Sequence, residues 1–293
     1  MLNVDESLYL GSEAILSLYP ILVKLVPVNL FTQIFSRLLT FTGGAGVMAT
    51  PADFVSVFGT PAAAGRTLML GAITLLHIYV SYLAFSSLSA GVAMSLFYTY
   101  PIWNLIGAKY VFGEEVHNDS FKYMGIGIIG TFLLSTQGIH DEIKGITMNS
   151  TSAIIGCLAA LGAALTESMM FFAVRTNEKN NPWSSTLELY GGALALMLPA
   201  VLLGFIPITY SWATWIPIVG FNFFVGLLGY ALRFYTIPRV KTEISGLLSF
   251  LGVISSFIFG YLFVKETPSW MTVVGAALII YASSYIERLK PGT

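Results

Sequence analysis

The sequence predicts an all-α integral membrane protein with ten transmembrane helices, built as two inverted five-helix repeats. Composition is the first ground: 56% of the 293 residues are hydrophobic, 10% are charged and the mean hydropathy is +0.78. Soluble domains carry roughly 25% charged residues. The second ground is ten apolar stretches, each near the roughly 20 residues that a spanning helix needs. The third is self-similarity at a shift of 151 residues, which sets Lys24 beside Arg175, Tyr79 beside Tyr230, Tyr110 beside Tyr261, Phe112 beside Phe263 and Glu115 beside Glu266. Five crossings per half turn the second half over in the bilayer. Inverted halves of this kind expose one central site to either side in turn, the arrangement of secondary transporters.

The first five expected helices cover 8–26, 30–49, 68–87, 90–112 and 121–137. The second five cover 153–174, 187–206, 215–237, 244–264 and 270–286. Repeat one is therefore 1–138, the linker 139–151, and repeat two 152–293. The first helix lacks a basic flank before it and a small-residue cleavage pattern after it, so it reads as retained and not as a signal peptide. Pro20 weakens it, and Pro101 in the fourth helix removes an amide donor and frees the carbonyl of Phe97 inside the aromatic run Tyr98–Asn104. The repeat partner of that run carries Ser249, Gly252, Ser255 and Ser256 and is smaller. One wall is thus aromatic and the other small, as in a binding cavity; packing of an aromatic face is the competing reading. Gly125, Gly127 and Gly130 spell a dinucleotide-type glycine pattern, but inside an apolar helix. Together with Gly275, Ala276 and Ala277 they read as small-residue stripes for close packing, or for a homodimer through helices five and ten. The longest loops, 50–67, 138–151 and 176–186, leave no room for a soluble domain.

Nine basic residues (Arg66, Lys109, Lys122, Arg175, Lys179, Arg239, Lys241, Arg288 and Lys290) fall on the side of the termini, against Lys24, Lys144 and Lys265 on the other. The positive-inside rule then places both termini in the cytoplasm, with a plasma or inner membrane favoured over an organelle membrane. Trp183, Trp212, Trp215 and Trp270 sit at helix ends as interfacial anchors. The sequon at Asn118 would face the cytoplasm, and that at Asn149 lies too close to a helix to favour glycosylation. The net charge of −1 points to no nucleic acid, and the single Cys157 excludes an internal disulfide.

A charge at mid-bilayer costs about 2.5–3.5 kcal/mol, so it normally faces a partner or an aqueous cavity. Glu13, Arg37, Glu167, Glu188 and Arg233 are the charged candidates, with His77, Asn104 and Asn222 as uncharged companions. Arg37 and Glu188 occupy equivalent positions with opposite charge, which makes the half-sites electrostatically unlike. Glu13, Glu167, Glu188 and Arg233 fall toward the cytoplasmic half, Lys24 and Arg37 toward the other. Such a pathway suits a zwitterionic or amphiphilic solute. The competing reading is structural ion pairing, or snorkelling of Lys24, Glu188 and Arg233 to the interface.

The runs Tyr110-Val111-Phe112-Gly113-Glu114-Glu115 and Tyr261-Leu262-Phe263-Val264-Lys265-Glu266, each closing a helix before a turn into a Gly-containing apolar helix, resemble the EamA repeat of the drug/metabolite transporter superfamily. The resemblance extends over nearly the whole chain, with Arg37 in the second helix and Gly275-Ala276-Ala277-Leu278-Ile279-Ile280 in the last. It implies a central cavity enclosed by helices one to four and six to nine, with five and ten outside. Glu115 and Glu266 are expected to fix turns, with Thr267-Pro268-Ser269 offering cap residues. Glu167, eight residues before Arg175, is similar to the essential Glu and following Lys of small multidrug resistance transporters, where proton and cationic substrate exclude each other at the carboxylate. Repeat one has Leu16 at that place, and Glu13 lies one turn earlier.

The sequence thus predicts a carrier, not an enzyme, that moves a small organic metabolite by alternating access, with proton coupling as one mode. Amino-acid-like or cationic solutes are favoured because acidic residues match or exceed basic ones in the expected cavity. A nucleotide-sugar or sugar-phosphate exchanger is the alternative, and an intramembrane enzyme or a non-transporting scaffold ranks lower. Glu167 and Glu13 are the expected proton-coupling or cation-binding residues. Arg37, Tyr98, Trp103, Asn104, Glu188, Asn222 and Arg233 are the expected substrate-binding residues. The expected partners are a small-molecule substrate and the lipid bilayer, and no cofactor or metal is expected.

Overall fold

The computed structural model describes residues 2–19, 26, 28–88, 90–134, 150–177, 181–264 and 269–289. Every regular element among these residues is helical. In the first half they are α1 (Val4–Leu16), α2 (Leu30–Met48), α3 (Pro51–Phe58), α4 (Pro61–Ser87), α5 (Ala90–Phe97), α6 (Tyr100–Tyr110) and α7 (Asn118–Leu134). The second half has α8 (Ser150–Arg175), α9 (Pro182–Thr186), α10 (Gly192–Leu202), α11 (Trp212–Phe221), α12 (Leu228–Thr236), α13 (Thr242–Phe259) and α14 (Trp270–Ser283). Wider π turns at Leu187–Gly191 and Asn222–Leu227 join α9 to α10 and α11 to α12, and a third, Gly260–Val264, extends α13.

Helix starts follow local chemistry. Asn3 and Glu6 form a reciprocal capping box at α1, and Thr50 and Asp53 form another at α3, where Pro51 occupies a first-turn position that needs no amide hydrogen. Asn29 caps α2 through the amide of Thr32, and Thr60 caps α4 through that of Ala63. Ser269 caps α14 with Thr272, while Thr267 and Pro268 lie outside the described residues.

Among the described residues, six stretches are long and apolar enough to cross a membrane: Pro61–Ser87, Ser152–Arg175, Pro182–Leu202, Trp212–Thr236, Thr242–Phe263 and Trp270–Leu289. The expected count of ten is not reached among the described residues. Helix α1 has 13 residues and α7 has 17. Helix α2 has 19, but Gln33, Ser36 and Arg37 reduce its hydropathy. The fourth expected helix divides at Tyr98–Thr99, where the amides of Thr99 and Ile102 bond three residues back, to Leu96 and Thr99, just around Pro101. Pro20 and Lys24 lie outside the described residues, as do the linker residues 138–149 with Asn149, and Lys265 and Glu266. The expected loop 50–67 instead contains α3 and the first turns of α4.

Packing joins the halves along long lines. Helix α4 lies on α8, α1 on α12 and α13, and α7 on α14. Gly130 and Gly275 set the last of these: a Cβ on Gly130 would come within 2.8 Å of the Gly275 carbonyl oxygen. The small-residue stripes therefore pack α7 against α14 inside one chain. Direction is equally clear. Along α1, Tyr9 meets Ser249, Glu13 lies against Gly252, Leu16 against Gly229 and Tyr19 against Gly226. Helix α1 thus runs with α13 and against α12, away from the end of the bundle where α12 stops. Helix α8 runs toward that end, because Arg175 at its terminus donates to the carbonyls of Ile237 and Val240.

Candidate functional site

Two buried charged assemblies occupy the middle of the bundle. In the first, Glu13 of α1, Glu167 of α8 and Arg233 of α12 meet, each 3% exposed or less. The amphipathic pattern of α12 puts Tyr230, Arg233 and Phe234 on its inner face. Arg233 Nη2 lies 2.8 Å from Glu167 Oε1, and Arg233 Nε 3.5 Å from Glu13 Oε1. One guanidinium therefore serves two carboxylates, and the aromatic face of Tyr100 lies 5.2 Å below it. Tyr100 and Ser249 donate hydroxyl hydrogen bonds to Glu13 Oε1 at 3.3 and 3.4 Å, and the Tyr9 hydroxyl is 3.1 Å from Ser249 Oγ. Each buried carboxylate needs such compensation, since an unpaired one in this medium costs several kcal/mol.

His77 of α4 extends this assembly. Its Nε2 lies 3.3 Å from Glu167 Oε2, and its Nδ1 faces the Ala163 carbonyl at 3.3 Å and Thr166 Oγ1 at 3.1 Å. The Thr166 hydroxyl already donates to the Gly162 carbonyl. If Nδ1 donates to the carbonyl, the second contact becomes a hydrogen bond only with one further proton shared between imidazole and carboxylate.

The second assembly surrounds Arg37 of α2, also 3% exposed. Its Nη2 donates to the Tyr190 hydroxyl at 2.9 Å. Its guanidinium carbon lies 4.5 Å from the ring centre of Tyr19, 5.0 Å from Tyr230, 5.2 Å from Phe41, 5.6 Å from Tyr190 and 5.9 Å from Tyr82. The Tyr19 hydroxyl donates to Asn222 Oδ1 at 2.8 Å, and Asn222 Nδ2 to Ser36 Oγ at 3.3 Å. Asn222 opens the π turn before α12, a widened backbone of the kind that recurs at functional sites.

Of the residues expected from sequence, Glu13, Glu167 and Arg233 thus come together, and Arg37 and Asn222 share the second assembly through Tyr19. Tyr98 is buried beside the first, since a Cβ on Gly252 would approach both its hydroxyl, at 3.0 Å, and Glu13 Cβ, at 3.1 Å. Trp103 points outward at 40% exposure. Asn104 is buried with neither amide atom hydrogen-bonded. Glu188 lies apart, paired at 2.9 Å with the half-exposed Arg66 at the start of α4. Glu188 and Arg37 therefore have separate partners despite their equivalent positions in the repeat. Tyr9, Tyr19, Tyr82 and Tyr190 belong to the assemblies but carry no functional signal in sequence, and His77, expected only as an uncharged companion, joins the first assembly directly.

A third assembly closes the end where α6, α8, α12 and α13 meet. Gly113, at φ +67°, adopts the left-handed conformation that ends α6, with the amides of Phe112 and Glu114 bonded back to Gly107 and Ala108. That turn brings Glu114 to Arg175 in a two-pronged pair at 2.5 and 3.0 Å, and Thr242 donates to Glu114 at 2.8 Å. Glu243 accepts from the His117 amide at 2.7 Å and from the Ser120 hydroxyl at 2.5 Å, which caps α7. Glu114, not the exposed Glu115, fixes this turn. Arg175 is thereby committed away from Glu167.

Residues 154–286 match the model of the EamA-like transporter family. The uncharacterized transporter sll1319 of Synechocystis sp. is 20% identical over 76% of this chain and 67% of its own length. Solute carrier family 35 member G1 is 24% identical in Mus musculus, over 69% of this chain and 56% of the relative, and 23% identical in Homo sapiens, over 74% and 59%. The chain thus spans little more than half the length of the two mammalian relatives. A crystal structure described only as that of a protein shares the fold, with a TM-score of 0.72 and 18% identity over 98% of this chain and 99% of the other. Residues 154–286 are thus similar to the EamA-like transporter family, and the curated relatives bear the names of a transporter and of solute carriers.

Proposed function

We propose that the chain is a secondary carrier that moves a small organic metabolite across a membrane by alternating access, with amino-acid-like or cationic solutes favoured. The reading takes residues 1–138 and 152–293 as two inverted five-helix repeats around a central site. The opposite directions of α1 and α8, which begin the two halves, support it. The single observation that carries it is the Glu13–Arg233–Glu167 assembly, which links the halves through buried side chains and not through the backbone. Side-chain ion pairs can exchange partners when the halves rock, and a cationic group can take the place of Arg233 or share its carboxylates.

Proton coupling through Glu167 is part of the proposal. A proton on the His77–Glu167 pair and an ammonium group beside Glu167 each add one positive charge to the same carboxylates, so each disfavours the other. A nucleotide-sugar or sugar-phosphate exchanger is the second reading, favoured by the buried Arg37. It ranks lower because one free guanidinium is a poor match for clustered phosphate charge. Both termini are proposed to be cytoplasmic, in a plasma or inner membrane, and a homodimer through the outward faces of α7 and α14 is proposed as the assembly.

Uptake from a pooled metabolite mixture into proteoliposomes, read by mass spectrometry, tests the carrier. Saturable uptake that rises with an imposed pH gradient is expected, and a folded Glu167→Gln variant should lose the response to the gradient. Retained pH-driven uptake in Glu167→Gln would remove the coupling role. A folded wild type that moves no solute would remove the carrier reading itself.

A further inference from the structure

The third assembly ties the halves together at one end of the bundle. Glu114 follows α6 in the first half, and Arg175 ends α8 in the second. Thr242, at the start of α13, donates to the same Glu114 carboxylate, and Arg175 Nη1 holds the carbonyls of Ile237 and Val240 just after α12. One guanidinium thus gathers the ends of four helices. Glu243 adds a second tie between the halves, to the His117 amide and the Ser120 hydroxyl. Glu114 also lines a cleft of about 350 Å³ with Lys109, Glu115, Val116 and His117, which puts the pair at the water boundary of the end where α1 begins. Behind it, Leu105, Ala108, Phe171, Val174, Ile244 and Leu247 are buried. Glu167 lies eight residues before Arg175 on α8, a rise of about 12 Å. This end is therefore closed by about two turns of apolar packing under a polar seal.

The shift of 151 residues that relates the halves does not repeat this seal. It sets Lys24 beside Arg175 and Lys265 beside Glu114, so the counterpart of an ion pair is two cations. Glu243 and Ser120 correspond to Val92 and Met271, whose side chains carry no oxygen, and Glu266 corresponds to the exposed Glu115, not to Glu114. Burial differs in the same sense. Thr242 through Phe250 are all buried, whereas in the corresponding stretch of the first half Val92, Leu96, Phe97 and Thr99 are partly exposed. Contacts made in only one of two conformations set the balance between them. We infer that the Arg175–Glu114–Thr242 seal, backed by Glu243, is a one-sided latch: it holds the end where α1 begins shut at rest, and its breakage is the step that opens the central assemblies to that side. This inference rests on the alternating-access reading above and names the contact that biases it.

Helix α13 offers reporters on both sides of Glu13. Ser245, Ser249, Gly252 and Ser256 follow one face at helical spacing, and Ser249 and Gly252 lie against Glu13. Ser245, fully buried, is on the latch side, and Ser256 is on the other. Ser245→Cys and Ser256→Cys, each in the full chain carrying Cys157→Ser, would be reconstituted in proteoliposomes and labelled with a charged, membrane-impermeant maleimide, with orientation read by protease clipping of a C-terminal tag. Without solute, Ser256→Cys should react from the side away from the termini, and Ser245→Cys should be nearly inert. Adding Glu114→Gln, in protein that still elutes as a folded species, should raise the rate at position 245 from the side of the termini about tenfold, the worth of a charged hydrogen bond. It should not raise the rate at position 256, because the two openings exclude each other. If Glu114→Gln does not fold, Arg175→Lys keeps the charge but loses the two-pronged pair, and should give a smaller rise at position 245 alone. An unchanged rate at position 245, or equal rises at both positions as a loosened fold would give, would overturn the latch. The labelling needs no transported solute, so its failure strikes the latch alone, whereas absence of uptake from the metabolite mixture strikes the carrier reading.

Discussion

The two buried arginines, Arg233 and Arg37, solve the burial problem in opposite ways. Arg233 is neutralised by carboxylates from α1 and α8, and each of those carboxylates depends on it. Arg37 is held by ring faces and by the hydroxyls of Tyr190, Tyr82 and Tyr230, and among the described residues no carboxylate pairs with it. Removal of Arg233 leaves two stranded anions, whereas removal of Arg37 leaves a set of neutral rings. The first arrangement binds the fold together; the second leaves a charge available to a ligand.

The largest expected effect follows from that asymmetry. Arg233→Gln should destabilise the folded chain by about 3–5 kcal/mol, because Glu13 and Glu167 lose their shared cation in a buried setting. Thermal unfolding in detergent would show it, and the Glu13→Gln, Arg233→Gln double variant should recover part of the loss. An unchanged melting temperature would mean that the carboxylates are solvated or neutral. Arg37→Gln should cost less, about 2 kcal/mol of cation–π attraction, and should remain folded. A loss equal to that of Arg233→Gln would erase the distinction between the two assemblies and make Arg37 a structural post. Tyr190→Phe removes one hydroxyl that Arg37 donates to, so about 1 kcal/mol of stability should go. The smallest change is Asn104→Leu. The amide is buried without hydrogen bonds, so its replacement should be neutral or stabilising by about 1 kcal/mol. Lost uptake in a stable Asn104→Leu protein would place this amide in the solute pathway, outside both assemblies.

Much of the fold could be read from the chain because apolar length and the 151-residue repeat are one-dimensional signals. The six strongest spans were legible for that reason. The weaker ones were not clean, since Gln33, Ser36 and Arg37 lower the hydropathy of α2 and the break around Pro101 divides another helix. The π turns have no composition signature; one of them presents Asn222 and another Glu188. In the site, charges in apolar helices pointed to Glu13, Glu167 and Arg233, because their burial demands partners. Which partner each takes depends on helix packing, so the pairing of Glu188 with Arg66 and of Arg175 with Glu114 could not be read. The tyrosines escaped for another reason. An aromatic residue in a membrane helix is ordinary, and the convergence of the residues just after α1 with α2, α4, the π turn Leu187–Gly191 and α12 makes Tyr19, Tyr82, Tyr190 and Tyr230 a cage.

Solute counterflow tests the central claim, a single site opened alternately to each side, most directly. Vesicles containing the full chain would be preloaded with unlabelled amino acid, diluted into a trace of the labelled form with no pH gradient, and sampled over time. A carrier whose one site returns loaded should make the label accumulate transiently above equilibrium. A folded wild-type protein that takes up label only toward equilibrium, with no transient excess, would contradict alternating access and return the buried charges to a purely structural role.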